Sequence, residues 1–272
     1  MRCRFAVLLI FSIVPVSTMR CSDAINLVSD FLVTDSQEVE MGQNVNAEIQ
    51  SSDDYPLYED RNGYNRALVR YVDSLGQLLA RAQDDRDMDF YFTIIDNDTM
   101  VNAFAVPGGY VYVYTGLIKS IIDYEEGFSE SMLVGVIAHE IAHITLRHGV
   151  QMMVRNNLRS LVFDMIDGDS ETIRAALEVA GGLRALSYSR EHEYEADSVG
   201  VHYMAEAGFN PHGMGRMLQM LVDMGGEAGI EFLSTHPATE ERVNQVENII
   251  SHEYTSSSDA PVRAIPFEEG EI

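Results

Sequence analysis

The chain has 272 residues, 46% hydrophobic and 22% charged, a balance ordinary for a folded protein and sufficient for one large domain with a small appendage. Its 43 Asp and Glu against 18 Lys and Arg give a formal charge of -25. So acidic a surface repels phosphate backbones and argues against nucleic acid as a partner.

The chain opens on a basic "MRCR", then an apolar run (Phe5–Val16), then small and polar residues. That three-part order predicts a secretory signal peptide over 1–24, with cleavage after Ser17 or Ala24, because the apolar run is too short to span a bilayer. The only cysteines, Cys3 and Cys21, lie in or beside it, so no disulfide is expected inside the mature domain. A lipid tether at Cys21 stays open as an alternative, although "STMR" before it departs from the usual bacterial pattern.

Helices are predicted over Asp35–Gln50 and Asn65–Gln83 from apolar residues at three- and four-residue steps. Two β-rich runs follow, Asp89–Asn97 and Met100–Pro107, and the Asp-Asn-Asp between them reads as a hairpin turn. A third strand, Gly108–Gly116, alternates Tyr110, Tyr112 and Tyr114 with valines, which predicts one aromatic face. Beyond it the chain reads as helical: Ser129–Gly149 from a Ser cap to a Gly stop, Val150–Ile166 and Ser170–Leu186 separated by "DGDS", Ser189–Gly208, Asn210–Gly225 and Ala238–Glu253. The expected organisation is a domain over 25–253 and an acidic mobile tail over 254–272. The helices between 150 and 186 are a candidate lid, with "DGDS" as its hinge.

"VIAHEIAHITLRHG" (Val136–Gly149) carries three of the eight histidines. Residues four apart on a helix differ by about 40° around its axis, so His139 and His143 project together and can share one cation. Glu140 is close enough to take a proton from a water that zinc has acidified, without itself being a ligand. A catalytic zinc keeps three protein ligands, so a third must come from His148, His192, His202, His212, His236, His252 or an acid. On a continuous helix His148 points about 140° away from His143 and reads as a C-terminal capping residue. Glu193 and Asp197, four apart in "SREHEYEADSVG", face one way; one could ligate while the other orients a histidine, or both could belong to a solvated acidic face.

Four stretches taken in order resemble the M48 metallopeptidases: "NAFAVPGGYVYVYTGL" (Asn102–Leu117), "VIAHEIAHITLRHG", "YSREHEYEADSVG" (Tyr188–Gly200) and "STHPATEERV" (Ser234–Val243). The resemblance implies an α+β fold, a mostly helical metallopeptidase domain with a small three-stranded sheet beside the zinc helix. It implies one zinc per chain held by His139, His143 and Glu193, with Glu140 as catalytic base and Asp197 hydrogen-bonded to a ligating histidine. His236 would sit near the metal, either helping the reaction by donating to an oxyanion or closing the site as a further ligand. Arg242 could pair with Asp197 or Glu193. An extended peptide could bind by main-chain pairing along Asn102, Ala103, Phe104 and Ala105, or along Tyr110–Tyr112.

The expected function is an exported, periplasmic zinc endopeptidase acting on unfolded or misassembled envelope proteins or peptides, either free or associated with the outer membrane by a peripheral or lipid tether. The alternative is a latent zinc-binding chaperone-like or regulatory protein with little turnover. No long apolar segment follows the leader, and little chain follows the last helix. Substrate recruitment by the helical-repeat domain that some periplasmic relatives carry is therefore not expected.

Overall fold

The computed structural model describes residues 33–58, 65–83, 86–155, 167–168, 188–225 and 230–254. The predicted leader with Cys21, the helix over Ser170–Leu186, most of the candidate lid and the tail beyond Tyr254 lie outside the described residues. The elements in order are α1 (Asp35–Ser51), α2 (Asn65–Ala82), β1 (Tyr91–Ile95), β2 (Ala103–Val106), β3 (Tyr110–Tyr114), α3 (Thr115–Glu125), α4 (Glu130–Thr145), α5 (His148–Arg155), α6 (Arg190–Glu206), α7 (His212–Asp223), the single turn α8 (Phe232–Thr235) and α9 (Glu240–Glu253). The fold is α+β and mostly helical, with one small sheet. No described helix is long and apolar enough to cross a membrane.

The sheet order is β1-β3-β2, with β3 parallel to β1 and antiparallel to β2. The hairpin therefore lies between β2 and β3, not across the Asp-Asn-Asp turn expected from the sequence. The local chemistry accounts for this. Gly108 and Gly109 at φ 91° and 99° make the reversal between β2 and β3, a backbone region closed to most L side chains. Asn97 instead folds on itself, accepting from the Thr99 amide at 3.1 Å through its side chain, while its carbonyl accepts from the Gly116 amide at 3.1 Å.

Alternation along β3 separates two cores. Val111 and Val113 join Ala103, Ala105 and the helices α2, α3 and α4 in the main core. Tyr110, Tyr112 and Tyr114 join Phe104, Val106 and the apolar side of α1 in a smaller aromatic core. Phe104 stacks on Tyr112 at 4.8 Å between ring centroids, and the Tyr112 hydroxyl donates to Asn46 on α1 at 2.8 Å. The aromatic face read from the sequence is thus a buried helix-packing surface.

Helix α4 runs through the centre, nearly all of it buried. Its second half packs on α6 and its first half on α7. At the α4–α6 crossing Gly200 lies so close that a Cβ there would sit 3.3 Å from the Ala138 carbonyl carbon and the His139 nitrogen. The helix stops four residues earlier than the predicted Gly149: Leu146 caps it and Arg147 adopts a left-handed φ of 58°. Arg147 is held by Glu38 of α1 at 2.9 Å and by the Val33 carbonyl at 2.5 Å. Arg86 bonds the other oxygen of Glu38 at 2.8 Å, so this buried carboxylate ties α1 to the end of α4.

Gly200→Val is expected to push α6 away from α4 at the level of His139 and to cost about 1–3 kcal/mol, the usual penalty of overpacking. The midpoint of chemical denaturation should fall with an unchanged slope.

Candidate metal centre

His139, Glu140 and His143 are carried by the middle of α4, and burial of all three leaves exposures of 0%, 0% and 1%. The Ser189 hydroxyl caps α6 by accepting from the His192 amide at 3.3 Å, which sets Glu193 in the first turns of that helix, where a negative charge complements the dipole. Asp197 follows one turn later on the same face. The Thr239 hydroxyl caps α9 by accepting from the Arg242 amide at 3.3 Å. Arg242 is thereby in the first turn of a helix, a position unfavourable for a cation unless acids face it. Asp197 and Glu193 do.

The two Nε2 atoms of His139 and His143 approach to 3.0 Å, and His236 Nδ1 lies 3.3 Å from His139 Nε2. Glu193 Oε1 is 3.4 Å from His143 Nε2 and 3.1 Å from His236 Nδ1, and Glu193 Oε2 is 3.6 Å from His139 Nε2. One donor atom from each of these four residues lies within 4.8 Å of the others. Adjacent donors around a tetrahedral zinc with bonds near 2.0–2.1 Å lie roughly 3.3 Å apart, so the spacing fits a small cation. The charges fit as well. Glu193 and Asp197 are buried carboxylates facing the buried guanidinium of Arg242, and Glu140 is a third buried carboxylate nearby, so a divalent cation restores the balance.

Each α4 histidine is held by its other nitrogen. His139 Nδ1 lies 2.9 Å from Asp197 Oδ1. Arg242 clamps Asp197 with two bonds of 2.7 Å and reaches Glu193 Oε2 at 2.6 Å. His143 Nδ1 meets His148 Nδ1 at 2.9 Å. His148 is therefore not the capping residue expected from a continuous helix: the left-handed turn at Arg147 ends α4 first, and His148 begins α5 and folds back. His192 stacks on His148 at 4.3 Å between centroids and is outside the four-donor cluster.

The electrostatics follow from burial and neighbours. Burial raises the Glu140 carboxyl, against the pull of His236 and His139, and the Ala105 amide of β2 adds a bond that favours the charged form. Burial opposes ionisation of Glu193 too, but His236 and Arg242 hold it well below the usual carboxylate range. Asp197 is likewise held low by Arg242 despite its burial. Burial depresses His143 and His148, whereas His236 is raised, its desolvation outweighed by Glu193 and Glu140.

Two aromatic supports carried no signal of their own in the sequence. Tyr188 stacks on His143 at 3.9 Å, and Phe232 stacks on His236 at 4.5 Å. The Tyr188 amide also donates to the Thr235 carbonyl at 3.2 Å, joining the entry of α6 to the His236 loop. Phe232 precedes His236 by one helical turn, a spacing that points to contact only once the short α8 is known.

Of the residues predicted for peptide pairing, Asn102, Ala103, Phe104 and Ala105 are all buried. Phe104 and Val106 turn to the aromatic core, and Ala103 and Ala105 to the main core. The Tyr114 amide donates to the Asn102 carbonyl at 3.0 Å, which fixes the parity of the ladder: Asn102, Phe104 and Val106 bond to β3. Ala103 and Ala105 therefore direct their main-chain groups to the outer edge, toward Glu140. The alternative stretch, Tyr110–Tyr112, is on the central strand with both edges already paired.

A sequence model of peptidase family M48 matches residues 67–250, more than half of the chain and all of the metal cluster. The chain belongs to peptidase family M48. It is 30% identical over 226 residues to the beta-barrel assembly-enhancing protease of Escherichia coli (strain K12), covering 78% of this chain and 43% of that protein. It is 33% identical over 189 residues to the putative beta-barrel assembly-enhancing protease of Vibrio cholerae, covering 65% and 38%. Against the mitochondrial metalloendopeptidase OMA1 of Arabidopsis thaliana the figures are 30% over 153 residues, 55% and 29%. This M48 chain thus spans less than half the length of these three relatives.

Arg242→Met should destabilise the metal-free M48 domain by about 3–5 kcal/mol, because it leaves Asp197 and Glu193 buried without their cation. The Asp197 carboxyl is depressed in the folded state, so its contribution is complete above ~3.9 and is lost as pH falls through the folded value. Urea titrations should accordingly show the deficit of the variant at pH 7 narrowing below about pH 4.

Proposed function

We propose that the chain is a zinc endopeptidase that cleaves unfolded or misassembled proteins of the cell envelope. The observation that carries this reading is the joint presence of four convergent metal donors and a fifth residue, Glu140, that faces them without being one of them. A pure metal-binding site needs no such base. Family membership supports a metallopeptidase, and the relatives named for beta-barrel assembly support an envelope role. Export through the 1–24 leader, a peptidase domain over 25–253, a tail over 254–272 and a periplasmic location complete the proposal.

His139, His143 and Glu193 would hold the zinc, which when bound polarises the scissile carbonyl and acidifies the attacking water. Asp197 fixes the tautomer of His139 by accepting its Nδ1 hydrogen, and Arg242 keeps Asp197 charged and in place. Neither oxygen of Glu140 has a side-chain hydrogen-bond partner. A carboxylate whose affinity for protons is raised by burial takes a proton and passes it on more readily near neutral pH than an exposed one. A substrate strand would pair with the outward main-chain groups of Ala103 and the carbonyl of Ala105, which recognises backbone, not sequence, and suits unfolded chains. Beside that edge, Phe104, Pro107, Met153, Tyr188 and His236 line a small pocket.

His236 favours a resting form. Its Nδ1 is aimed into the donor cluster at 3.1 Å from Glu193 and 3.3 Å from His139, where a fourth ligand would stand. Its Nε2 lies 3.6 Å from Glu140 Oε1. Turnover would then require His236 to leave, which joins the latent and the active readings in one protein.

With unfolded casein as substrate, Glu140→Gln should reduce cleavage by about 10²–10⁴-fold while one zinc per chain is retained. Zinc retention by the wild type without cleavage of any unfolded protein would reduce the reading to a binding protein. His236→Ala should increase casein turnover and weaken zinc binding; a fall in turnover at unchanged zinc content would instead give His236 a part in the reaction.

A further inference from the structure

The two helix α4 histidines are steadied by different chemistry. His139 directs Nδ1 to a carboxylate, Asp197, which Arg242 neutralises. His143 directs Nδ1 to another imidazole, His148, at 2.9 Å. Two ring nitrogens at that distance share one hydrogen, so one donates and the other accepts. The far nitrogen of His148 settles which. His148 Nε2 lies 3.2 Å from Glu195 Oε2, and a carboxylate only accepts, so Nε2 carries the His148 hydrogen. His148 Nδ1, the other nitrogen of that ring, is then the accepting partner in the 2.9 Å contact with His143. His143 must then carry its own hydrogen on Nδ1, leaving the Nε2 lone pair to face the donor cluster.

We infer that His148 is a positioning residue for His143, fixing its tautomer and ring plane through a hydrogen-bond chain that ends at Glu195. This rests on the reading of His143 as a metal ligand. The ring planes are restrained on both sides, since His192 stacks on His148 at 4.3 Å and Tyr188 on His143 at 3.9 Å. The choice of an imidazole has an electrostatic reason. Three carboxylates are already buried around the cluster, and a fourth in contact with His143 would add a charge that no further cation meets. The neutral ring passes the hydrogen bond outward to Glu195, whose side chain is 59% exposed, so the negative charge is where water screens it. The left-handed Arg147 makes this possible by ending α4 and reversing the chain after one turn.

The test compares His148→Phe, which keeps a ring to stack on His192 but offers no acceptor, with His148→Asn, whose carbonyl oxygen stands close to the position of Nδ1. Zinc affinity is measured by chelator competition, and the cobalt-substituted proteins are compared by their visible absorption. The phenylalanine variant should lose about 10–100-fold in zinc affinity with an altered cobalt spectrum, and the asparagine variant should return to within about three-fold of wild type. Nitrogen-15 NMR of the zinc-loaded wild type should find hydrogen on Nδ1 of His143 and on Nε2 of His148, a readout that needs no variant to fold. Wild-type affinity in the phenylalanine variant, or the opposite tautomers, would overturn the inference. A wild type that binds no zinc at all would instead overturn the ligand reading on which it rests.

Discussion

The guanidinium of Arg242 lies between two buried carboxylates, within 2.7 Å of both oxygens of Asp197 and 2.6 Å from Glu193. Burial opposes charge on both acids; Arg242 is the main offset for Asp197 and shares that part with His236 for Glu193. Asp197 in turn presents the lone pair that orients His139, and Glu193 presents its other oxygen to His143 and His236. Helices α4, α6 and α9 and the His236 loop are thus fastened to one another through a charge cluster that one guanidinium leaves unbalanced. The remaining negative charge is what makes the centre receptive to a divalent cation.

Around that cluster the apolar packing does the positioning. Gly200 allows α6 to approach α4 at the level of His139, and the valine side of β3 with Ala103 and Ala105 closes the core beneath the metal helix. The sheet is small because it has a narrow task. It carries one edge strand past Glu140, with the other edge of that strand occupied by β3 and the far face covered by α1.

Much of this was legible in the residues. Spacing alone put His139 and His143 on one side of a helix with Glu140 beside them, and Ser189 announced the start of α6, whereas the spacing of Glu193 and Asp197 fitted a solvated acidic face as well as a ligating one. What the spacing could not supply was long-range partnership. The family resemblance, not the spacing, points Arg242 to Asp197 or Glu193, and the structure pairs it with both; Phe232 and Tyr188 gain meaning only from the rings they cover. His148 was misread because a periodicity argument assumes an unbroken helix, and the break depends on Arg147 being drawn into a left-handed turn by Glu38, more than a hundred residues upstream. The hairpin was misassigned for a related reason. Asp-Asn-Asp is a good turn by composition, but β1 pairs with β3 where Phe92 and Ile94 join Val111 and Val113 on the main core, a partnership no local window contains.

The central claim is that these residues converge on a single cation. The most direct measurement is anomalous diffraction at the zinc edge from crystals of the purified protein. One peak per chain is expected among His139 Nε2, His143 Nε2 and the Glu193 carboxylate, with His236 alongside. A peak elsewhere, or none at full zinc loading, would contradict the account.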